Sequence, residues 1–124
     1  MANPNITAVT SIYGNTSYLV PTTTSATTWT ALTPSTGTVN KINNIVAANV
    51  TGTAAVITVS VNSATGGGGT AYRLAYQITV PANASLIITD KTTAFYLGEA
   101  QSIVVTSGTT NAIEMVASYE AITS

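Results

Sequence analysis

Four carboxylates, Asp90, Glu99, Glu114 and Glu120, are the groups in this sequence with the acidity for acid–base work. The chain has no histidine and no cysteine, so the commonest general base, the commonest metal ligand and any thiolate are missing. Glu114 and Glu120 fall on the same face of an alternating run but six residues apart. At a rise of about 3.3 Å per residue that is ~20 Å, too far for the ~5 to 9.5 Å of a glycosidase pair. Asp90 precedes Lys91 and Glu99 follows Gly98, both in turn sequences. A solvated charge is the ordinary outcome there, and a surface Ca²⁺ site completed by loop carbonyls is the functional alternative. Serine and threonine abound, yet no triad can be built without histidine, and neither S-x-x-K nor G-x-S-x-G occurs.

"SATGGGGTAY" (63–72) is the other stretch that could bind something. A phosphate cradle needs G-x-x-x-x-G-K-[ST] or G-x-G-x-x-G running from a strand into a helix. Here no lysine follows Gly66–Gly69 and the next segment alternates like a strand. The glycines are therefore expected at a flexible hairpin tip, where they supply positive φ, and an Asn-Gly turn in their place should leave the fold intact. Asn5, Asn15, Asn49 and Asn83 head glycosylation sequons. In a chain this rich in Asn, Ser and Thr such sequons arise by chance. Trp29 and the tyrosines could stack on sugars, but Tyr72 and Tyr76 fall on an apolar face, which favours core or interface packing.

Charge narrows the partners. The formal net charge is −1 and the cations are Lys41, Arg73 and Lys91, which excludes the clustered positive charge that nucleic-acid binding needs. No apolar run approaches the ~20 residues of a membrane helix, and "MANPNITAVT" lacks the basic start and apolar centre of a secretory signal. We expect no nucleic-acid partner, no membrane, no cofactor and no enzymatic activity.

The elements that must carry these residues are strands. A length of 124 residues fits one domain. Apolar residues make up 45% and charged residues only 6%, so the surface is neutral and polar. Threonine, roughly a fifth of the chain, favours strands through its branched β-carbon. All seven charged residues lie after position 40, which separates a Thr-rich arm, residues 1–38, from a patterned domain, residues 39–124. Within the arm "TSYLVP" and "TTWTAL" could each form a short strand, punctuated by Pro21 and Pro34. A neutral arm of this kind needs a surface to order it, and a partner subunit is the expected one.

In "AAVITVSV" Ala55, Ile57, Val59 and Val61 share one face. In "YRLAYQITV" Tyr72, Leu74, Tyr76, Ile78 and Val80 share a face opposite Arg73, Ala75, Gln77 and Thr79, and the first set is expected to line the core. "PANA" turns the chain into "SLIITD" with Leu86 and Ile88 inward, and "KINNIVAANV" offers a bulge at Asn43 and Asn44. "AIEMVASYEAI" sets Ile113, Met115, Ala117 and Tyr119 against Glu114, Val116, Ser118 and Glu120 as a strand. Helical spacing of Ile113, Val116, Ala117 and Glu120 is its alternative over 112–122. With no crossover helix in view, the fold class is all-β: one antiparallel β-sandwich, jelly-roll-like or immunoglobulin-like, with an extended N-terminal arm.

Over roughly residues 39 to 122 the order of "KINNIVAANVTGTAAVITVSV", "YRLAYQITVPANASLIITD", "FYLGEAQSIVVTS" and "EMVASYEAI" resembles small structural virion proteins of tailed bacteriophages, especially cyanobacterial and other marine phages. The shared features are I-x-x-A-N-V-T-G, V-P-A-N-A-S-L, L-G-E-x-x-S-I-x-V and SYE-x-I, none of them catalytic. The resemblance implies a β-sandwich that decorates or joins parts of a virion. A capsid decoration or cement protein, a homotrimer bound to the major capsid protein or another virion protein, is the first expectation. It would be made in the host cytoplasm and end in the virion. Tyr18, Leu19, Val20 and Trp29 of the arm are its candidate assembly contacts. The alternatives are a neck, tail or baseplate structural protein, or a carbohydrate- or receptor-binding module of the virion.

Overall fold

Nine strands form two antiparallel sheets in a computed structural model that describes residues 4–123. They are β1 (Ser11–Leu19), β2 (Thr27–Thr28), β3 (Thr38–Asn49), β4 (Ala55–Asn62), β5 (Ala71–Val80), β6 (Ser85–Thr89), β7 (Phe95–Leu97), β8 (Ser102–Ser107) and β9 (Ile113–Thr123). The larger sheet runs β1-β9-β3-β6, with β7 also on β3, and the smaller runs β2-β8-β4-β5.

This order selects between the two expected sandwiches. β6 and β7 both pair with β3, at Ile45–Ala48 and Asn40–Ile42. They act as one strand interrupted by a 3₁₀ turn at Lys91–Thr93. With these two taken together, first pairs with last, β1 with β9, then β2 with β8, β3 with β6 and β7, and β4 with β5. One long antiparallel ribbon is thus wound on itself, which brings β9 beside β3 and β8 beside β4. Eight strands so wound are a jelly roll. β1 and β2, both from the segment expected as an arm, are the outer strands of that ribbon. The segment is extended, and Ser11–Leu19 and Thr27–Thr28 of it pair with strands of its own chain.

The core between the sheets contains Trp29, Leu32, Ile42, Ile45, Ile57, Val59, Leu97, Ile103, Val105, Ile113 and Met115. Alternation delivers these residues on β9, where Ile113, Met115 and Ala117 are buried and Tyr119 packs at the margin. Residues 113–123 are therefore strand. Leu86 and Ile88 of β6 also face inward, as expected. On β3 the ladder skips a residue between Ile42 and Asn44, and the Asn44 Oδ1 accepts the Ser118 amide at 3.0 Å. The bulge expected at Asn43 and Asn44 thus supplies its own compensating bond.

β5 departs from expectation. Of Tyr72, Leu74, Tyr76, Ile78 and Val80, only Val80 is buried; the other four are exposed. Two features account for this. β5 is an edge strand, so Ile78 and Tyr72 are exposed although they pair with inward-facing Ile57 and Val61. A double slip in register against β4, between Ile57 and Val59 and again between Val59 and Ser60, puts Leu74 and Tyr76 out of phase. Ile78 stands opposite Ile57, but Ala75 then opposes Val59 and Arg73 opposes Ser60. The first extra residue reverses which face the following side chains take, and the second restores the original phase by Tyr72, opposite Val61. The Arg73 guanidinium accordingly lies 5.2 Å from the ring of Tyr76, a residue the uninterrupted pattern puts on the opposite face. Gln77, at φ 49°, marks the first slip, and its amide donates to the Thr58 hydroxyl at 2.9 Å.

Candidate assembly surface

The outward-facing residues of the larger sheet fall into rows that run across the strands, as the register dictates, and four of them reach β1. Ile12 pairs with Ile122, which pairs with Val39. Gly14 pairs with Glu120, which pairs with Lys41, which pairs with Tyr96. Thr16, Ser118 and Asn44 form the third row. Tyr18, Val116, Val46 and Ile87 form the fourth, one residue from each of β1, β9, β3 and β6.

The fourth row is the longest exposed apolar row of the face, with Ile12 and Tyr96 exposed at the ends of the first two. Tyr18 is 74% exposed, Ile87 61% and Val116 40%, with Val46 half-buried between neighbours. Four apolar side chains in register across a whole sheet form a contiguous stripe, which distinguishes them from the scattered surface hydrophobes of any monomer. The first row is treated differently. Val39 and Ile122 are buried, and Pro4 and Ile6 join Val39 and Tyr96 around a hollow of about 310 Å³.

Between the two apolar rows lies a polar cleft of about 490 Å³ lined by Lys41, Asn43, Asn44, Asp90, Lys91 and Glu120. Four of the seven charged residues of the chain meet there, two of each sign. Asp90 is committed to the 3₁₀ turn at Lys91–Thr93. Its Oδ1 accepts from the Thr92 amide at 3.0 Å and the Thr92 hydroxyl at 2.6 Å. These bonds hold its carboxyl below the ordinary aspartate value. Glu99, by contrast, is buried and its Oε2 accepts the Gly37 amide at 2.6 Å. The two acids weighed for Ca²⁺ thus lie in separate surroundings, each engaged by backbone donors. Among the described residues no three His, Cys, Asp or Glu side chains group as metal ligands. Glu114 and Glu120 remain six residues apart along β9.

One end of the outer face of the smaller sheet, over β2, β8 and the end of β4, is covered by the glycine loop. Gly66, Gly67 and Gly69 have positive φ, as expected of a hairpin connection. The loop, however, folds back over the sheet. The Gly67 amide donates to the Ser102 hydroxyl at 3.0 Å, that hydroxyl donates to the Ala64 carbonyl at 2.7 Å, and Asn62 Nδ2 donates to the Gly67 carbonyl at 2.9 Å. A β-carbon on Gly67 would stand 2.6 Å from the Thr28 Oγ1 and 3.3 Å from Val104. Glycine is needed at 67 because its backbone lies directly on β2 and β8. Ser60, Asn62, Ser102 and Val104 are buried beneath the loop. A free tip replaceable by Asn-Gly is therefore the wrong description, because shortening the loop would uncover those residues.

The four arm residues separate by depth. Tyr18 heads the apolar stripe and Val20 is exposed just beyond β1, whereas Leu19 packs against the core. Trp29 is 1% exposed, and its Nε1 donates to the Ser17 hydroxyl at 2.9 Å. It ties β1 to the segment that follows β2 and offers no ring for a sugar to stack on. Val116, Val46 and Ile87 were missed by sequence reasoning; only the register across three strand pairs lines them up with Tyr18. Of the sequon residues, Asn49 is buried with its amide bonded to the Thr53 and Val80 carbonyls. No helix is long and apolar enough to cross a membrane among the described residues.

No family model matches the chain, and no curated protein matches it. Among solved structures, a chain in the cryo-EM structure of the extra small virus (XSV) VLP of the giant freshwater prawn Macrobrachium rosenbergii is similar at 16% identity and a TM-score of 0.37. The alignment covers 96% of this chain and 84% of that one. At that score the likeness carries no functional weight, and function has to be read from the strand pairing and the exposed surfaces of the sandwich.

Proposed function

We propose that this protein is a non-enzymatic structural component of a virion, a decoration or cement protein that docks the outer face of its larger sheet on the capsid. The observation that carries the reading is the apolar stripe Tyr18–Val116–Val46–Ile87, which spans four strands on a face with no cover among the described residues. A monomeric protein in water gains nothing from such a stripe, and a docked one buries it. Binding only to the assembled shell then stabilises that shell by mass action, without chemistry. The resemblance of residues 39 to 122 to phage virion proteins points the same way, and the major capsid protein is the natural partner.

The test is to label the protein on intact particles of the virus that encodes it and to compare the wild type with V116K/I87K in a shell-binding assay. Labelling spread over the capsid lattice, with binding lost in the double variant, supports the reading. Labelling confined to the neck, tail or baseplate would move the protein to that structure, and undiminished shell binding by the variant would refute the stripe as the contact. Whether copies group as the expected trimer is read from the mass of the isolated protein.

The charged cleft favours a second reading, a glycan-binding module of the virion. Asn43, Asn44, Lys41, Lys91 and the two acids line one cleft with the donors and acceptors that hydroxyl groups of a sugar pair with. Binding on a glycan array that is lost in N44A/K41A supports this reading, and an array without signal removes it.

A further inference from the structure

Each sheet of an open sandwich has two edges, and an unpaired edge invites another strand unless it is blunted. Three of the four edges here are blunted. β2 has two residues, β6 and β7 are broken apart by the turn at Lys91–Thr93, and β5 carries two register slips and Arg73. β1 is the exception. It pairs with β9 over nine consecutive positions without a slip, and "SIYGNTSYL" contains no charge and no proline. Among the described residues no strand lies on its outer side.

We propose that β1 pairs with β1 of a second copy, antiparallel about a two-fold axis at Asn15, so that the larger sheets of two copies become one continuous sheet. A second copy is the occupant because the two apolar rows of the face are exchanged by that operation. Ile12 and Tyr18 are equidistant in sequence from Asn15 and both lie on the outer face, 54% and 74% exposed. Centring the pair on Asn15 sets Ile12 of each copy opposite Tyr18 of the other, twice. The row Ile87–Val46–Val116–Tyr18 then runs without interruption into Ile12–Ile122–Val39 of the second copy. The strand is neutral, so no charge on it opposes its own image. Glu120, one strand inward beside Gly14, is kept about three strand spacings, ~14 Å, from its counterpart. This contact does not depend on the virion reading.

Because the chain has no cysteine, Asn15→Cys is a clean reporter. Opposed residues of antiparallel strands have Cα atoms about 4.5 to 5.5 Å apart, within the ~4.4 to 6.8 Å a disulfide spans. Under mild oxidation at about 10 μM we expect N15C to form a covalent dimer about tenfold faster than G52C, whose site lies on a remote loop. Sedimentation should show dimer for the wild type and a dissociation constant raised at least about tenfold in I12K/Y18K, which sets lysines against each other across the axis. Both substitutions in I12K/Y18K are on exposed side chains, so a thermal melt equal to that of the wild type, at a dilution where both are monomeric, is expected and certifies its fold. A wild type that stays monomeric at about 100 μM with no N15C dimer overturns the proposal. So does an oligomer, the trimer included, that forms without the position-15 disulfide. An edge protected from hydrogen exchange only after shells are added also overturns it, assigning β1 to a strand of the shell instead. A wild-type protein that dimerises but does not bind shells would refute the decoration reading alone.

Discussion

The two outer faces of this sandwich solve the same problem in opposite ways. Over β8 and the end of β4 in the smaller sheet the chain supplies its own cover, leaving the apolar residues of edge strand β5 exposed beyond it. The Ser63–Thr70 connection lies flat on β8 and β4 and buries Ser60, Asn62, Ser102 and Val104. On the larger sheet a four-residue apolar stripe runs from Tyr18 to Ile87 with nothing above it among the described residues. The covered face spends glycines and side-chain hydrogen bonds on polar and small residues, while the bare face presents hydrophobes that only another molecule can bury. The contrast teaches where to look for a partner: on the face the chain does not roof.

Four substitutions break or sharpen that contrast, in decreasing order of their effect on stability. Trp29→Ala removes the residue that packs beneath both faces and should cost about 3 to 5 kcal/mol, read as a fall in the urea midpoint. The Ser17 hydroxyl would also lose its indole partner. Gly67→Ala attacks the roof alone. Its φ of +79° and the contact with Thr28 predict a loss of about 1 to 3 kcal/mol, with faster hydrogen exchange at the Gly67 amide and no change in association.

Val116→Lys attacks the bare face alone. Stability should stay within about 0.5 kcal/mol, as for a surface change, while binding to shells is lost; a destabilised but still binding variant would invert the assignment of the two faces. The smallest effect belongs to the margin of the cleft. The Asp90 carboxyl titrates below the ordinary aspartate value in the folded chain, so its contribution is present above about pH 4. It disappears as pH falls through the folded value. An NMR titration of the Thr92 amide should show that transition, and Asp90→Ala should abolish it.

Much of the fold was legible because period-2 alternation reports a strand face wherever the ladder is uninterrupted. β9 and β4 behaved so, and the Asn43–Asn44 bulge could be read from two polar residues inside an apolar run. β5 has the cleaner alternation of the two strands that flank the glycines, yet its expected core face is mostly exposed, because it is an edge strand and a pair of slips takes Leu74 and Tyr76 out of phase. Trp29 was misplaced for a related reason: a neutral, Thr-rich segment looks detachable, and nothing local reveals that it closes a ribbon with residues about a hundred positions away.

By itself the sequence determined that this chain is all-β, that it has neither histidine nor cysteine, that its surface is neutral and polar, and that its strands break at the Gly, Pro and Asn turns. These are properties of residue types and near neighbours, set by branched β-carbons, by φ preference and by charge. Tertiary structure decided the rest: the jelly-roll winding over the immunoglobulin order, the folding of the four glycines onto the smaller sheet, and the alignment of Tyr18, Val116, Val46 and Ile87 into one stripe. Each of these depends on register between strands distant in sequence. A shift of one residue moves a side chain to the other face, and that choice is made only when the sheets pack.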